Sequence, residues 1–248
     1  MVGFYIKKVM NQQKINYNIT SVPPPGQYFI AHDKYDATAL SQYSMNSTSK
    51  IVLMGDPAVG KTCLCTRFAF NEYGEDYLAT VGAQFTKCEV KINGSSMTLQ
   101  IWDVAGEKSY SSISFYYCRQ TDIVLFCFDL TRIETFENLL NWRDNFLNMT
   151  QNPVASFLVG CKADLKAQKE VSDIKIENFC KEYNMEYFST SSKLSFNTTQ
   201  LLERVAFYAA MNAQSSRTVK SEKVKISDSV VTLTEEPPAQ APKKKCCA

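Results

Sequence analysis

The chain has 248 residues, 45% of them hydrophobic and 21% charged, and this balance excludes a wholly disordered protein. No apolar run approaches the roughly 20 residues of a membrane-spanning helix. The net charge of +2 conceals an acidic body, because residues 50–213 carry sixteen basic and nineteen acidic side chains. Such a body offers no basic stripe to nucleic acid, so we expect no nucleic-acid partner.

Residues 1–49 show no steady hydrophobic period and are rich in Asn, Gln, Ser and Tyr. Pro23-Pro24-Pro25-Gly26 interrupts any helix or strand there. We therefore predict a disordered N-terminal extension over residues 1–49. The alternative is that the start of the protein is mis-assigned and translation begins at Met45, shortly before the first apolar run.

From Lys50 onward, short apolar runs alternate with helical patterns, which predicts one domain over residues 50–213. One helix is expected near Ile113–Tyr117. Four others are expected to begin just after Lys61, Glu134, Asp173 and Asn197. Strands are expected at Ile51–Met54, Leu99–Trp102, Ile123–Phe128, Phe157–Val159 and Tyr187–Phe188. Such alternation predicts an α/β fold whose mostly parallel sheet is covered on both faces.

The segments Phe85–Ile92 and Met97–Trp102 are separated by Asn93-Gly94, the strongest short signal for a β-hairpin. They predict one antiparallel edge strand. The last helix has a clear apolar face, formed by Leu201, Leu202, Val205, Tyr208 and Ala209. After about residue 213 the pattern ends, and we predict a flexible tail over residues 214–248.

Residues Gly55–Thr62 match the phosphate-binding pattern G-x-x-x-x-G-K-[ST], between a predicted strand and a predicted helix. Backbone N–H groups of such a loop surround phosphates, and the helix N-terminus adds partial positive charge. Lys61 would place its charge on the β- and γ-phosphates, and the Thr62 hydroxyl would bind Mg²⁺. Pro57 is unusual here because it lacks an N–H. The other candidate binding residues are Ala58, Val59, Gly60 and Cys63.

Three further segments follow predicted strands. Asp103, at the end of Leu99–Trp102, stands where a Mg²⁺ partner belongs, and Gly106 permits close approach to a γ-phosphate. A carboxylate accepts two adjacent hydrogen bonds, which guanine offers and adenine does not, so Asp164 is predicted to select the base. The stem of Lys162 can lie along the ring. Backbone groups of the weaker segment Ser191, Ser192 and Lys193 could reach the guanine oxygen.

The order and spacing of these motifs resemble the small Ras-like GTPases, most closely the Rab branch, over residues 50 to about 213. Residues Trp102–Gly106 resemble the family's W-D-T-A-G, and Thr80-Val81-Gly82 its effector-loop T-[IV]-G. Other Rab-like segments are Tyr116-Tyr117, Trp142-Arg143 and Ser191–Lys193, whereas Ala58–Leu64 is closer to Rho proteins.

The resemblance implies a Ras-like P-loop fold with a mostly parallel six-stranded sheet, one antiparallel edge strand and helices on both faces. It implies binding of GTP, GDP and Mg²⁺, and Thr80 would contact Mg²⁺ and sense the γ-phosphate. GTP would order two switch loops, residues 72–82 and 103–114, which effectors would contact. An exchange factor, a GTPase-activating protein, a prenylation escort and a GDP-dissociation inhibitor are the implied partners of a monomer.

Two residues depart from the family pattern. Glu107 replaces the Gln that orients the attacking water, and an ionised carboxylate is acceptor-only and repelled by phosphate, which predicts slow intrinsic hydrolysis. A protonated Glu107 would restore a donor, and activating proteins of the Rab branch supply their own Gln and Arg. Cys161 replaces the Asn of N-K-x-D, and a thiol cannot make that amide's bonds to the base and the neighbouring loop. We expect weaker guanine binding with specificity retained through Asp164.

Cys246 and Cys247 follow three lysines and resemble the prenylated double-cysteine ends of Rab proteins, although a final alanine makes the ending irregular. Two lipids with basic residues anchor a protein stably. The expected location is the cytoplasmic face of endomembranes, in exchange with the cytosol. The other cysteines, from Cys63 to Cys180, show no metal-type spacing and are expected to be reduced thiols.

These features together favour a membrane-anchored GTPase switch in vesicle traffic. The competing interpretation is a GTP-loaded scaffold that recruits effectors and scarcely hydrolyses, which Glu107 and Pro57 favour. A nucleotide kinase or ATPase fits poorly, because Asp164 and the Trp102–Gly106 segment would have no role in one.

Overall fold

A computed structural model of the chain describes residues 17–19, 47–74, 79–92, 94–107, 116–150 and 155–227. It divides into two compact units, Met1–Gln214 and Ser215–Ala248. The strands are β1 (Tyr17–Ile19), β2 (Ser47–Met54), β3 (Ala83–Ile92), β4 (Ser95–Val104), β5 (Ile123–Asp129), β6 (Ala155–Cys161) and β7 (Glu186–Ser189). The helices are α1 (Lys61–Phe70), α2 (Ile133–Glu137), α3 (Leu139–Met149), α4 (Asp173–Tyr183) and α5 (Thr198–Ser227), with a 3₁₀ turn at Lys166–Gln168.

The described strands form one sheet in the order β1-β3-β4-β2-β5-β6-β7. The pair β3–β4 is antiparallel, as the Asn93-Gly94 signal predicts, and the other pairs are parallel. The Ras-like α/β fold is thus confirmed, with every strand predicted over residues 50–213 present. Parallel strands place their carboxyl ends along one edge, and this edge carries the candidate site.

The short strand β1 departs from the predicted disorder of residues 1–49. Tyr17 lies opposite Val90 and Ile19 opposite Ile92, so β1 adds a seventh strand outside β3. The antiparallel strand β3 is therefore not the outermost, contrary to the prediction from the sequence. The Ile19 side chain is 4% exposed and packs into the core, which explains the pairing. Three residues are too few to display a period. The predicted disorder of 1–16 and 20–46 lies outside the described residues.

Helices cover both faces of the sheet, and every residue of β5 is therefore buried. On one face the core joins Leu64 and Phe68 of α1 to Leu202 and Phe207 of α5. On the other it contains residues of α2, α3 and α4, among them Phe136, Phe146 and Phe179. These faces match the buried runs and helical patterns of the sequence.

Helix α5 buries the apolar face that the sequence predicts, including Leu201, Val205 and Tyr208. It runs on to Ser227, past residue 213 where the sequence placed the end of the domain. Residues 228–248 lie outside the described part. The helix predicted near Ile113–Tyr117 falls mostly on residues 108–115, which are also outside it. None of the described helices combines the length and apolar character needed to cross a bilayer.

Candidate nucleotide-binding site

The phosphate loop, Gly55–Thr62, connects β2 to α1 at the carboxyl edge of the sheet. Gly55 has a φ of 141°, and a Cβ there would overlap the carbonyl oxygen of Cys127. No other residue fits this position without moving β5. Gly106 is equally constrained, because a Cβ there would collide with the backbone of Asp56 and Pro57. The segment after β4 therefore packs directly onto the phosphate loop, and a glycine is required at the contact.

Lys61 is buried at the first position of α1, and its Nζ donates to the carbonyl oxygens of Gly55, at 2.9 Å, and Asp56, at 2.8 Å. Burial lowers the pKa of Lys61, and the nearby carboxylate of Asp103 opposes that shift. A buried ammonium group with neutral carbonyl acceptors is a binding point for an anion, as the phosphate-loop pattern predicts.

Thr62, Thr80 and Asp103 converge beside Lys61. The Thr62 hydroxyl donates to Asp103 Oδ2 at 2.5 Å, the Thr80 hydroxyl donates to the same oxygen at 3.2 Å, and the two hydroxyls are 3.1 Å apart. The fold thus brings three residues together, although Thr80 lies 18 positions and Asp103 41 positions from Thr62 in the chain.

The Asp103 carboxylate is buried, and its Oδ1 has no hydrogen-bond partner among the described residues. Burial raises the pKa of Asp103, while Lys61 and the Thr62 and Thr80 hydroxyls oppose the rise. An unpaired buried carboxylate oxygen is costly, and a bound cation would satisfy it. Hydroxyl and carboxylate oxygens are the donors that Mg²⁺ prefers, so this set fits Mg²⁺.

A cavity of about 330 Å³ opens at this edge, which is within the usual range for small-molecule sites. The phosphate loop forms one wall, and Thr80, Gly106 and Lys162 reach it from other segments. Glu107 lines the cavity and is exposed, so its side chain is within reach of whatever the cavity holds. The remaining lining residues include Tyr73, Gly74 and Ala79.

The base loop, Cys161–Leu165, begins at the last residue of β6. Its Asp164 Oδ1 accepts a hydrogen bond of 2.6 Å from the Ser191 hydroxyl, and the Ala163 N–H donates to the Thr190 carbonyl at 3.0 Å. The two predicted base-contacting segments are therefore adjacent. The Ser191 N–H is engaged by the Phe196 carbonyl, so within this turn Ser191 acts through its hydroxyl, which orients Asp164.

Cys161 is buried beneath the phosphate loop. A Cβ built on Gly60 would lie 3.6 Å from its Cβ and 3.8 Å from its Sγ. The neighbouring Cys161 thiol, together with burial, raises the pKa of Cys127, whose own thiol donates to the Leu125 carbonyl at 3.6 Å. A buried thiol in the same core cluster as Cys127 thus stands where the family pattern has an amide.

Several residues outside the sequence motifs support the site. The Asp56 carboxylate accepts bonds from Asn138 Nδ2 at 2.7 Å and Trp142 Nε1 at 2.8 Å. At the end of β5, Asp129 pairs with Lys162 and Arg132. An acid at the carboxyl end of a parallel strand is a usable signal, and it would have found Asp129.

The switch loops are described only in part. Residues 72–74 and 79–82 of the first and 103–107 of the second are described, and the remainder, 75–78 and 108–114, lies outside the described residues. The predicted lipidation residues Cys246 and Cys247 also lie outside them. The geometry of the candidate site therefore comes from the phosphate loop, Thr80, Asp103 and the base loop.

The known proteins that this chain resembles belong to one family. The Ras family model matches residues 50–210. The chain is 31% identical to "Ras-related protein Rab-13" of Rattus norvegicus over 72% of this chain and 88% of that protein. It is 31% identical to "Ras-related protein Rab-7b" of Paramecium octaurelia over 80% and 96%, respectively. It is 39% identical to "Ras-related protein Rab-30" of Homo sapiens over 61% and 75%.

Proposed function

Because this chain is a Rab-like member of the Ras family of small GTPases, we propose that it is a membrane-anchored GTP/GDP switch in vesicle traffic, with slow intrinsic hydrolysis. The observation that carries the proposal is the convergence of Lys61, Thr62, Thr80 and Asp103 at one end of the cavity. Such a cluster suits a triphosphate with its divalent cation better than any neutral ligand.

Each residue has a definable task. Lys61 and the backbone of the phosphate loop bind the phosphates, and Thr62, Thr80 and Asp103 hold Mg²⁺. When bound, Mg²⁺ neutralises charge that develops on the phosphates. Since Thr80 belongs to the first switch loop, its bond to the site couples the state of the nucleotide to a surface that partners can read. Asp164, oriented by Ser191, selects guanine.

Glu107 sets the expected rate. It lines the cavity, is exposed, and would stand where the family places a water-orienting Gln. An ionised carboxylate cannot donate a hydrogen bond to the transferring phosphoryl group and is repelled by it. Hydrolysis should therefore be slow until an activating protein supplies the missing donors.

The same residue supports a second candidate, a GTP-bound scaffold that recruits effectors without turning over. The two are separated by loading the purified protein with GTP and Mg²⁺ and identifying the retained nucleotide by chromatography after incubation. Retained GDP supports a switch that hydrolyses GTP without a partner. GTP that persists alone but becomes GDP with a Rab-type activating protein supports a switch timed by that partner. GTP that persists in both cases identifies the scaffold.

Membrane attachment is proposed through Cys246 and Cys247, aided by the preceding lysines. Two prenyl groups hold a protein on a membrane where one gives only marginal binding. This anchoring implies the cytoplasmic face of endomembranes, a prenylation escort and a GDP-dissociation inhibitor. Replacing both cysteines by serine should move the protein from the membrane fraction to the cytosol. Unchanged fractionation would contradict lipid anchoring by these residues.

A further inference from the structure

A chain of polar contacts links the phosphate loop to the base loop through residues that belong to neither. Arg132 Nη2 donates to the Pro57 carbonyl at 3.0 Å, and Arg132 Nε donates to Asp129 Oδ2 at 3.2 Å. The same Asp129 oxygen receives Lys162 Nζ at 2.6 Å. Since Pro57 and Lys162 both line the cavity, Arg132 and Asp129 connect two of its walls.

Asp129 is suited to be the fixed point of this chain. Its side chain is 1% exposed, and its other oxygen accepts bonds from the Thr131 N–H at 2.9 Å and the Thr131 hydroxyl at 2.7 Å. Burial alone would raise the pKa of Asp129, but the bonds from Lys162 and Thr131 outweigh it and hold the pKa below its ordinary value. A carboxylate that is ionised and bonded at both oxygens can anchor Arg132 and Lys162 in fixed positions.

The guanidinium geometry explains why an arginine stands at this position. Its Nε and Nη2 donate in two fixed directions, one toward the carboxylate and one toward the loop carbonyl. A lysine ammonium could pair with Asp129, but it lacks the rigid fork that grips both acceptors. The side chain is 37% exposed, so it can be changed with little disturbance of the core.

Cys161 creates the need for such a link. The amide that the family pattern places here would bond to the neighbouring loop, whereas the buried Cys161 thiol has no amide oxygen or N–H to offer that loop. The phosphate loop is instead held by side chains from the segment after β5, which are Arg132 at Pro57 and the pair Asn138 and Trp142 at Asp56. Of these three side chains, Arg132 is the one that also connects, through Asp129, to the base loop.

We propose that Arg132 is a positioning residue for the guanine nucleotide, which joins the phosphate loop to the base loop in place of the amide absent at Cys161. This inference rests on the proposed nucleotide binding. Arg132 acts through Pro57 and Lys162 and does not itself touch the ligand. Its contribution should therefore shrink when an amide is restored at residue 161, because the two loops then have a second link.

The test is a double-mutant cycle on the dissociation rate of fluorescent GDP, measured with the full chain in Mg²⁺. The four proteins are the wild type, Arg132→Ala, Cys161→Asn and the double variant. Arg132→Ala should raise the dissociation rate by roughly fivefold in the wild-type background and by less than about twofold in the Cys161→Asn background. Arg132→Lys should give an intermediate rate. The matched control is Arg143→Ala, since Arg143 contacts Asp144 and Tyr183 on the surface, and it should leave the rate unchanged.

The outcomes are distinct. A smaller effect of Arg132→Ala in the Cys161→Asn background supports the proposal, since a purely structural role would change both backgrounds alike. Equal factors in both backgrounds, or no change in the wild type, would overturn it while nucleotide binding stands. If the wild type retains no guanine nucleotide, the proposed function itself is wrong and the inference falls with it. Thermal unfolding of each nucleotide-free variant detects a loss of fold, and Arg132→Lys then carries the comparison.

Discussion

The two halves of the candidate site are built on different principles. The phosphate half comprises Gly55–Thr62, Thr80 and Asp103. It uses a backbone loop, one buried ammonium group and a cluster of hydroxyl and carboxylate oxygens. The base half, comprising residues 161–165 and 191–193, depends on side chains, and one of them departs from the family pattern. A backbone cradle tolerates few changes, because Gly55 and Gly106 have no room for a side chain. A site built from side chains can lose one of them if another residue takes over its contact. We assign that replacement contact, between the phosphate loop and the base loop, to Arg132.

The phosphate half should carry most of the affinity, so its loss gives the largest effect. Lys61→Ala removes the buried charge and should weaken GDP binding by roughly a hundredfold or more, in line with charge-assisted hydrogen bonds of about 1.5–3 kcal/mol each. Equilibrium titration with fluorescent GDP measures this. The control is Lys175→Ala, whose ammonium is 3.8 Å from Glu137 on the surface. A loss below tenfold would contradict the central role of Lys61.

A change far from both halves sharpens the comparison. Ile19 is buried, so Ile19→Ala should lower the free energy of unfolding by about 2–3 kcal/mol, at the low end for a core position because β1 is a short edge strand. Urea denaturation of the GDP-bound protein measures this. The matched control is Ile174→Ala, since Ile174 is 72% exposed and the change should cost less than about 0.5 kcal/mol. Equal costs for the two would mean that β1 does not contribute to stability.

Base selection should depend on Asp164 alone. In Asp164→Asn the amide presents a donor where the carboxylate presented an acceptor, so GDP affinity should fall by on the order of tenfold or more. Xanthosine diphosphate, which carries a carbonyl in place of the 2-amino group, should bind this variant better than GDP. Competition assays with the two nucleotides measure the ratio. An unchanged preference for GDP would place base recognition elsewhere.

Restoring the family residue should strengthen the base half. Cys161→Asn should slow GDP dissociation by about tenfold, because one well-made hydrogen bond contributes roughly 0.5–1.5 kcal/mol and the thiol makes none of comparable strength. Stopped-flow release of fluorescent GDP measures the rate. Cys161→Ala is the control and should show no slowing. An unchanged rate in the Asn variant would contradict the expectation that Cys161 weakens guanine binding.

The smallest effect concerns rate and not affinity. Glu107→Gln restores a neutral donor at the exposed wall of the cavity, so single-turnover GTP hydrolysis should rise several-fold while GDP dissociation stays unchanged. Phosphate release measures the rate, and a faster wild type would contradict the argument. Since Glu107→Asp keeps the charge, that variant should not accelerate hydrolysis and serves as the control.

The elements that can be predicted from the sequence are those whose physical signal lies within a few consecutive residues. The buried run Ile123–Phe128, the Asn93-Gly94 hairpin and the Lys61-Thr62 pair all carry their own signals, and the strands and phosphate loop form as predicted. Strand β1 is too short to show a period, and α5 continues beyond residue 213 where no apolar face marks it. The contact of Arg132 with Pro57 joins residues 75 positions apart. No local pattern in the sequence predicts such a contact, so it is seen only in the folded structure.

The most direct test of the difference between the halves is a competition experiment on the wild-type protein. GDP, GMP and inosine diphosphate would each displace fluorescent GDP in the presence of Mg²⁺. GMP lacks the β-phosphate and should bind roughly a thousandfold or more weakly than GDP, because several charge-assisted bonds are lost. Inosine diphosphate lacks only the 2-amino group and should lose roughly tenfold to a hundredfold. Equal losses for the two, or a larger loss for inosine diphosphate, would contradict the account.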